Sequence, residues 1–429
     1  MVMMSVGGTT TMAPPVEAGA RGGREAGPDW DEVRAQFALD PAEAHLTCCF
    51  LAPLPLPVRE AVERHRRAFE RNVLWAEKDL YGIHNGLQGD VVRALAEYIG
   101  GRPEDIALTA NTTTGLGVVY SGLRLRPDQE IVLSVHDHLV HEEAARFATR
   151  RHGATMRSIR LYDDPAHVTQ HEIAERVAAA IGPRTRVVGL PWVHSCTGVK
   201  ASLPLLAEAV AVANEGRADE DRCLLVIDGV HGLGVEDVDV ARTGIDFFAS
   251  GTHKWILGPR GTGFVWGTED AWAQLEPVFP AIILDRDYWQ ALKTDAELPP
   301  TRAAWMSPGG FQAFENRFAV ADAVAFHQSL GRDRVSTRIA ELNSSLRLQV
   351  HSLPDLELVS PLEQSVASQL VCFRHRDLPA REVLRFLAER KVYGTITPEM
   401  HDPAARLCAG LMNGPEHITA AINALAELR

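Results

Sequence analysis

Among Lys78, Lys200, Lys254, Lys293 and Lys391, only Lys254 stands in a setting that makes an amine reactive. It follows Asp246-Phe247-Phe248-Ala249-Ser250-Gly251-Thr252-His253, and Gly258, Gly261 and Gly263 come after it. The apolar, aromatic run reads as a buried strand, which Ser250-Gly251-Thr252 breaks into a turn presenting His253 and Lys254. The three glycines let the backbone bend before a second apolar strand, Phe264-Val265-Trp266. A lysine held between two buried strands loses hydration, its pKa falls, and the free amine can attack a carbonyl. That is what a Schiff-base lysine requires. A lysine reaching into water from a glycine loop is the plainer alternative.

A second place for chemistry is Asn111-Thr112-Thr113, where a short strand gives way to a helix. Unpaired N–H groups, the positive end of the helix dipole and two hydroxyls make a cradle for phosphate, although N-capping alone also explains these residues. Asp228 ends the most apolar strand, Cys223-Leu224-Leu225-Val226-Ile227, where a carboxylate commonly caps the next helix. His194-Ser195-Cys196-Thr197-Gly198 follows another strand and offers an acid or base.

Together these segments resemble the signatures of class V aminotransferase-fold enzymes, which use pyridoxal 5'-phosphate (PLP). The resemblance runs from about His45 to the end and implies fold type I, an amino-acid substrate and a homodimer. It implies that Lys254 attaches the cofactor and that Asn111, Thr112 and Thr113 grip its phosphate with Ser250 and His253. His138 would stack on the pyridine ring, with His136 and His141 leaving the register open by a few residues. Asp228 would keep the pyridine nitrogen protonated, and His231 would contact O3′ or pack over the ring. Relatives hold an Asn near O3′ where this chain has His194 and Ser195. Gly310, in Ser307-Pro308-Gly309-Gly310, falls where relatives reach the phosphate across a dimer interface with a Gly-Thr pair. Lacking a hydroxyl, it leaves a backbone contact. Arg406 matches the arginine whose planar fork binds the substrate carboxylate, against the alternative of a surface arginine. Lys254, Asp228, His231 and His194 form the expected catalytic set.

Positioning these groups takes a sheet. Apolar strands are expected at Ile106–Thr109, Glu130–Val135, Thr155–Leu161, Arg186–Val193, Cys223–Val230, Phe247–Ser250 and Thr262–Trp266, separated by helical stretches such as Leu203–Asn214. That alternation predicts an α/β fold with a seven-stranded, mostly parallel sheet covered on both faces. Residues 1–28 read as a disordered tail, 29–318 as an N-terminal segment with the large PLP-binding domain, and 319–429 as a smaller α+β domain. Hydrophobic content of 46% and charged content of 23% suit a soluble protein with a large core. A net charge of -13 without a basic stripe argues against nucleic acid. No apolar run has the length of a membrane helix, and the N-terminus lacks the apolar core of a signal peptide. Cys48, Cys49, Cys196, Cys223, Cys372 and Cys408 show no metal-ligand spacing, so no metal is expected and a reduced cytoplasm fits best.

The loop Val392–Asp402 ahead of Arg406 contains no cysteine, which disfavours a desulfurase with its nucleophile there. The remaining resemblance is to the isopenicillin N epimerase-like branch, which holds epimerases, C–S lyases and oxygen-dependent deaminating enzymes. Ser307-Pro308-Gly309-Gly310-Phe311 with Phe314-Glu315 is similar to members acting on natural products and thiol metabolites. The expected reaction is β-elimination from an S-substituted cysteine. Oxygen-dependent decarboxylation or deamination, epimerisation and transamination are the alternatives. A non-catalytic scaffold is disfavoured because the cofactor positions are filled.

Overall fold

The computed structural model describes residues 27–80, 84–281, 286–294, 296–397 and 403–428. The tail expected over 1–28 thus lies almost wholly outside the described residues, as does part of the loop ahead of Arg406.

Seven strands build one sheet: β1 (Ile106–Thr109), β2 (Glu130–Ser134), β3 (Thr155–Ile159), β4 (Thr185–Pro191), β5 (Leu224–Asp228), β6 (Phe247–Gly251) and β7 (Gly263–Gly267). Their order is β1-β7-β6-β5-β4-β2-β3, and only β7 runs against its neighbours. Every residue of the strands other than β3 is buried, because helices cover both faces. Side chains alternate accordingly: Val132, Leu190, Ile227 and Phe248 enter one core, and Ile131, Leu133, Val226 and Ala249 the other. Edge strand β3 carries exposed Thr155, Arg157 and Ser158 and ends at Ile159, two residues short of the expected Leu161.

A second sheet of four short strands contains β8 (Leu356–Leu358), β9 (Val371–His375), β10 (Thr395–Ile396) and β11 (Ala405–Leu407), ordered β10-β11-β9-β8 and antiparallel throughout. The 21-residue helix Arg332–Ser352 packs Leu342, Leu346 and Val350 into the same core as Phe373 and Leu407. The early chain joins this sheet's surroundings. Ala44–His45 pairs in parallel with Val392–Tyr393, and the Cys408 amide donates to Leu46 O at 2.9 Å. Cys49, far from Arg406 in sequence, is thereby delivered next to it. Among the described residues no helix is long and apolar enough to cross a membrane.

Candidate active site

Parallel strands end on the same side of the sheet, and the loops beyond β1, β2, β4, β5 and β6 carry the chemistry. Lys254 follows β6 in a turn held by Gly258 N–H to Thr252 O at 2.8 Å and Leu257 N–H to Lys254 O at 3.1 Å. Leu257 adopts φ 61°, a left-handed conformation that costs energy for a non-glycine residue and marks local strain. Lys254 Nζ lies 3.3 Å from His231 Nε2. Burial pulls the lysine pKa below its usual value, with Asp228 opposing in part. Burial, then the charges of Lys254 and Arg406, hold His231 well below the ordinary histidine value, so its ring is neutral.

Asp228 closes β5, and its Oδ1 accepts from Val230 N–H at 3.0 Å. Burial and then the nearby Asp137 raise its pKa, while His141 and Lys254 pull it back. Behind it, His141 Nδ1 meets Asp137 Oδ2 at 2.8 Å, an ion-pair distance without hydrogen-bond alignment, and its Nε2 lies 2.7 Å from Tyr120 Oη. Burial opposes the charge on His141, yet Asp137 overrides it and raises the pKa.

The three histidines after β2 separate into three tasks. His136 stacks on Tyr162 at 3.9 Å and 5°. His141 belongs to Asp137. His138 Nδ1 accepts from Val140 N–H at 3.2 Å at the start of helix Leu139–His152. His194 is buried, with Nδ1 2.7 Å from Tyr162 Oη and 2.8 Å from Thr197 Oγ1. Burial keeps it far below the usual value. It belongs to the Tyr162–His136 cluster and makes no direct contact with Lys254 among those described.

At the start of helix Thr112–Gly122, Asn111 Oδ1 accepts from Thr114 N–H and Oγ1, both at 2.8 Å, so the side chain is an N-cap. Thr112 Oγ1 accepts from Gly251 N–H at 2.8 Å, which ties the helix start to the Lys254 turn. Thr113 is exposed. Ser250 Oγ donates to Gly251 O at 3.0 Å, and burial lowers His253 to about 4. A Cβ at Gly251 would meet the His253 ring at 2.9 Å, and one at Gly263 would meet Asn111 Cα at 2.8 Å. Only glycine admits this close approach. Gly310 lies in an exposed turn at φ 96° with open space around it.

Arg406, on β11, is buried; Nε donates to Thr395 Oγ1 at 3.0 Å and Nη1 to Ser195 O at 2.6 Å. No acidic side chain pairs with it among the described residues. Sequence reasoning missed Cys49. Its Sγ lies 3.6 Å from Thr395 Oγ1, and its amide donates to Cys408 Sγ at 3.4 Å. Burial opposes ionisation of the Cys49 thiol, but Cys408, Arg406, Thr395 and Lys254 outweigh it and lower the pKa to about 6. Cys408 is pushed up instead. It is the long-range pairing of Ala44–His45 with Val392–Tyr393 that brings Cys49 here, and nothing in the sequence announces it. All six cysteines are buried free thiols.

These residues fit PLP. A reactive lysine faces a buried carboxylate, His231 Nδ1 is buried without a protein partner, and glycines shape a cradle beside an 11-residue helix start. Residues 81–395 match the family described as Aminotransferase class-V. The chain is 29% identical to the isopenicillin N epimerase of Streptomyces clavuligerus over 420 residues, 93% of this chain and 98% of that protein. To the isopenicillin N epimerase of Amycolatopsis lactamdurans it is 30% identical over 356 residues, 80% and 84% of the two chains. Among solved structures, a lysine-to-alanine mutant of C-DES with glycine covalently linked to its PLP cofactor is similar in fold. Its TM-score is 0.78 at 21% identity, over 93% of this chain and 99% of that one. The chain therefore belongs to the aminotransferase class-V family, with PLP fold type I and PLP as its cofactor.

Proposed function

We propose that this enzyme removes the Cα proton of an S-substituted cysteine and eliminates the β-thiolate. The observation supporting this most is Lys254 Nζ 3.3 Å from a neutral His231. PLP, when bound, supplies the electron sink for charge developing at Cα. Arg406 grips the substrate carboxylate, and Thr395 and Ser195 fix the guanidinium so that binding also orients Cα. Lys254, its pKa lowered, takes the Cα proton. Asp228 would stabilise positive charge on the cofactor's ring nitrogen, with the Asp137–His141 pair behind it. His231, 3.3 Å from Lys254 Nζ, would relay to the departing sulfur the proton that Lys254 has taken from Cα. His194 is a positioning residue that keeps the Ser195 loop against Arg406. Asn111, Thr112, Thr113, Ser250 and His253 would hold the phosphate, His138 would lie against the ring, and Gly310 would contribute from a second copy in a homodimer. The C–S bond breaks heterolytically, and one water is consumed as free thiol, pyruvate and ammonia leave. No oxidant or keto acid enters.

Epimerisation is the second reading. Two relatives named as epimerases are alike over most of this chain, and Cys49 offers a second proton-exchanging group near Arg406 and Lys254. Incubating holoenzyme with S-conjugated cysteines, with and without air and without keto acid, separates the reactions. Thiol and pyruvate in equal amounts under both conditions support elimination. Racemised substrate without thiol release, or a requirement for oxygen or a keto acid, overturns it.

A further inference from the structure

A second cleft of about 490 Å³ lies between helix Arg332–Ser352 and the large sheet's loops, lined in part by Lys200, Glu236, Ser336, Ser344, Arg347 and Gln369. Arg347 is 3% exposed. Its guanidinium donates to the Ser368 carbonyl, and its Nε is buried without a partner. No acidic side chain pairs with it among the described residues, and burial lowers its pKa only to about 10, so it stays cationic at neutral pH. Two acids line the cleft: Glu236 is paired with Lys200 at 2.8 Å, and Glu341 is exposed and makes no ion pair with Arg347 among the described residues. Arg317, equally buried, differs: the side-chain oxygens of Gln88 and Gln312 share its charge. A buried guanidinium without such compensation is costly unless an anion meets it. Beside it, Gln369 donates to His231 O, while its own Oε1 is buried and unpartnered.

The cleft thus offers a cation with an unused Nε–H donor, together with serine hydroxyls. We propose that it binds a small oxyanion that carries a carboxylate or phosphate, and that occupancy stiffens the catalytic loops. The link is the backbone of residues 366–370. Lys200 N–H donates to Val366 O at 2.7 Å and Ser368 N–H to Gly198 O at 3.0 Å, which laces this segment to the loop carrying His194. Gly198 sits at φ 72°, and a Cβ there would meet Leu370 O at 2.7 Å. Gln369 reaches His231 directly. An anion seated on Arg347, whose guanidinium donates to Ser368 O in this same segment, therefore restrains both loops.

The test uses PLP-loaded holoenzyme in separate titrations with inorganic phosphate and pyruvate, chloride holding ionic strength constant. A saturable rise in Tm is expected for at least one anion. It should disappear in Arg347→Gln and also in Ser344→Phe, which fills the cleft from a half-buried position and leaves Arg347 intact. A response to phosphate alone assigns a phosphate ligand, and one to pyruvate a carboxylate. No saturable rise with either anion, or a rise that survives in both variants, overturns the site. Amide hydrogen exchange in residues 194–200 should slow with the anion in the parent only; unchanged exchange overturns the coupling.

Discussion

Asp228 keeps a carboxylate where burial and Asp137 both oppose its charge. Such a group is stable as an anion only against a cation, and in the proposed mechanism the cofactor's ring nitrogen would be one. Asp228→Asn should retain cofactor yet lose ~10²–10³-fold in kcat, the scale of one preorganised electrostatic contact. Activity within about tenfold of the parent would refute the role. Borohydride reduction should fix the cofactor to Lys254, and peptide mapping that finds it on Lys200 would sink the assignment. Cys49 gives a pH-dependent prediction. Its pKa is lowered to about 6, so the ultraviolet thiolate signal lost in Cys49→Ser should titrate near pH 6. Because the folded value is the lower one, the thiolate's contribution to stability is complete above the unfolded pKa of roughly 8.5. It is lost as pH falls through 6. A Cys49 titration near the ordinary thiol value would show that the Arg406–Thr395 environment does not act on it.

Strand β4 is shaped by one missing side chain. A Cβ on Gly189 would stand 2.2 Å from Tyr120 Oη and 2.8 Å from His141 Nε2, so Gly189→Ala should break the hydrogen bond behind Asp137. Overpacking of this kind costs roughly 1–3 kcal/mol, which a thermal denaturation of the holoenzyme would register as a lower Tm. An unchanged Tm would mean that Tyr120 has room to move. At this scale the sheet was legible in sequence, because strands buried on both faces are continuous apolar runs such as Leu224–Ile227. The Lys254 turn was legible for a related reason: its glycines and its strand lie within one short segment. The surroundings of Arg406 were not. They depend on Ala44–His45 meeting Val392–Tyr393, two-residue strands too short to carry a periodicity. Nor does spacing distinguish His136, His138 and His141. Tyr162 and Asp137, distant or on another turn, decide which ring goes where.

For the whole molecule, one aromatic chain runs to the surface. Phe69 packs with Trp75 and Phe318, Phe318 with Phe314, and Phe314 with Phe311, at centroid distances of 5.4, 6.1, 5.8 and 6.3 Å. Its outer end is Phe311, 88% exposed, and Val73 and Leu74 stand exposed beside Trp75. Exposed apolar groups anchored on a common aromatic core in this way are candidates for an interaction surface. Gly310, adjacent to Phe311, is the residue proposed to reach the cofactor phosphate of a second copy. The two features would place a homodimer contact on one face. A charge placed at the centre of such a contact must be desolvated without a partner, so Phe311→Asp should shift the protein from dimer toward monomer in sedimentation velocity. Cofactor retention should fall with it, because the phosphate loses its contact from the second copy, while isolated monomers keep the fold and its far-ultraviolet dichroism. A parent protein that sediments as a monomer would remove the basis for the interface. A Phe311→Asp protein that stays dimeric with full cofactor would place the contact on another face.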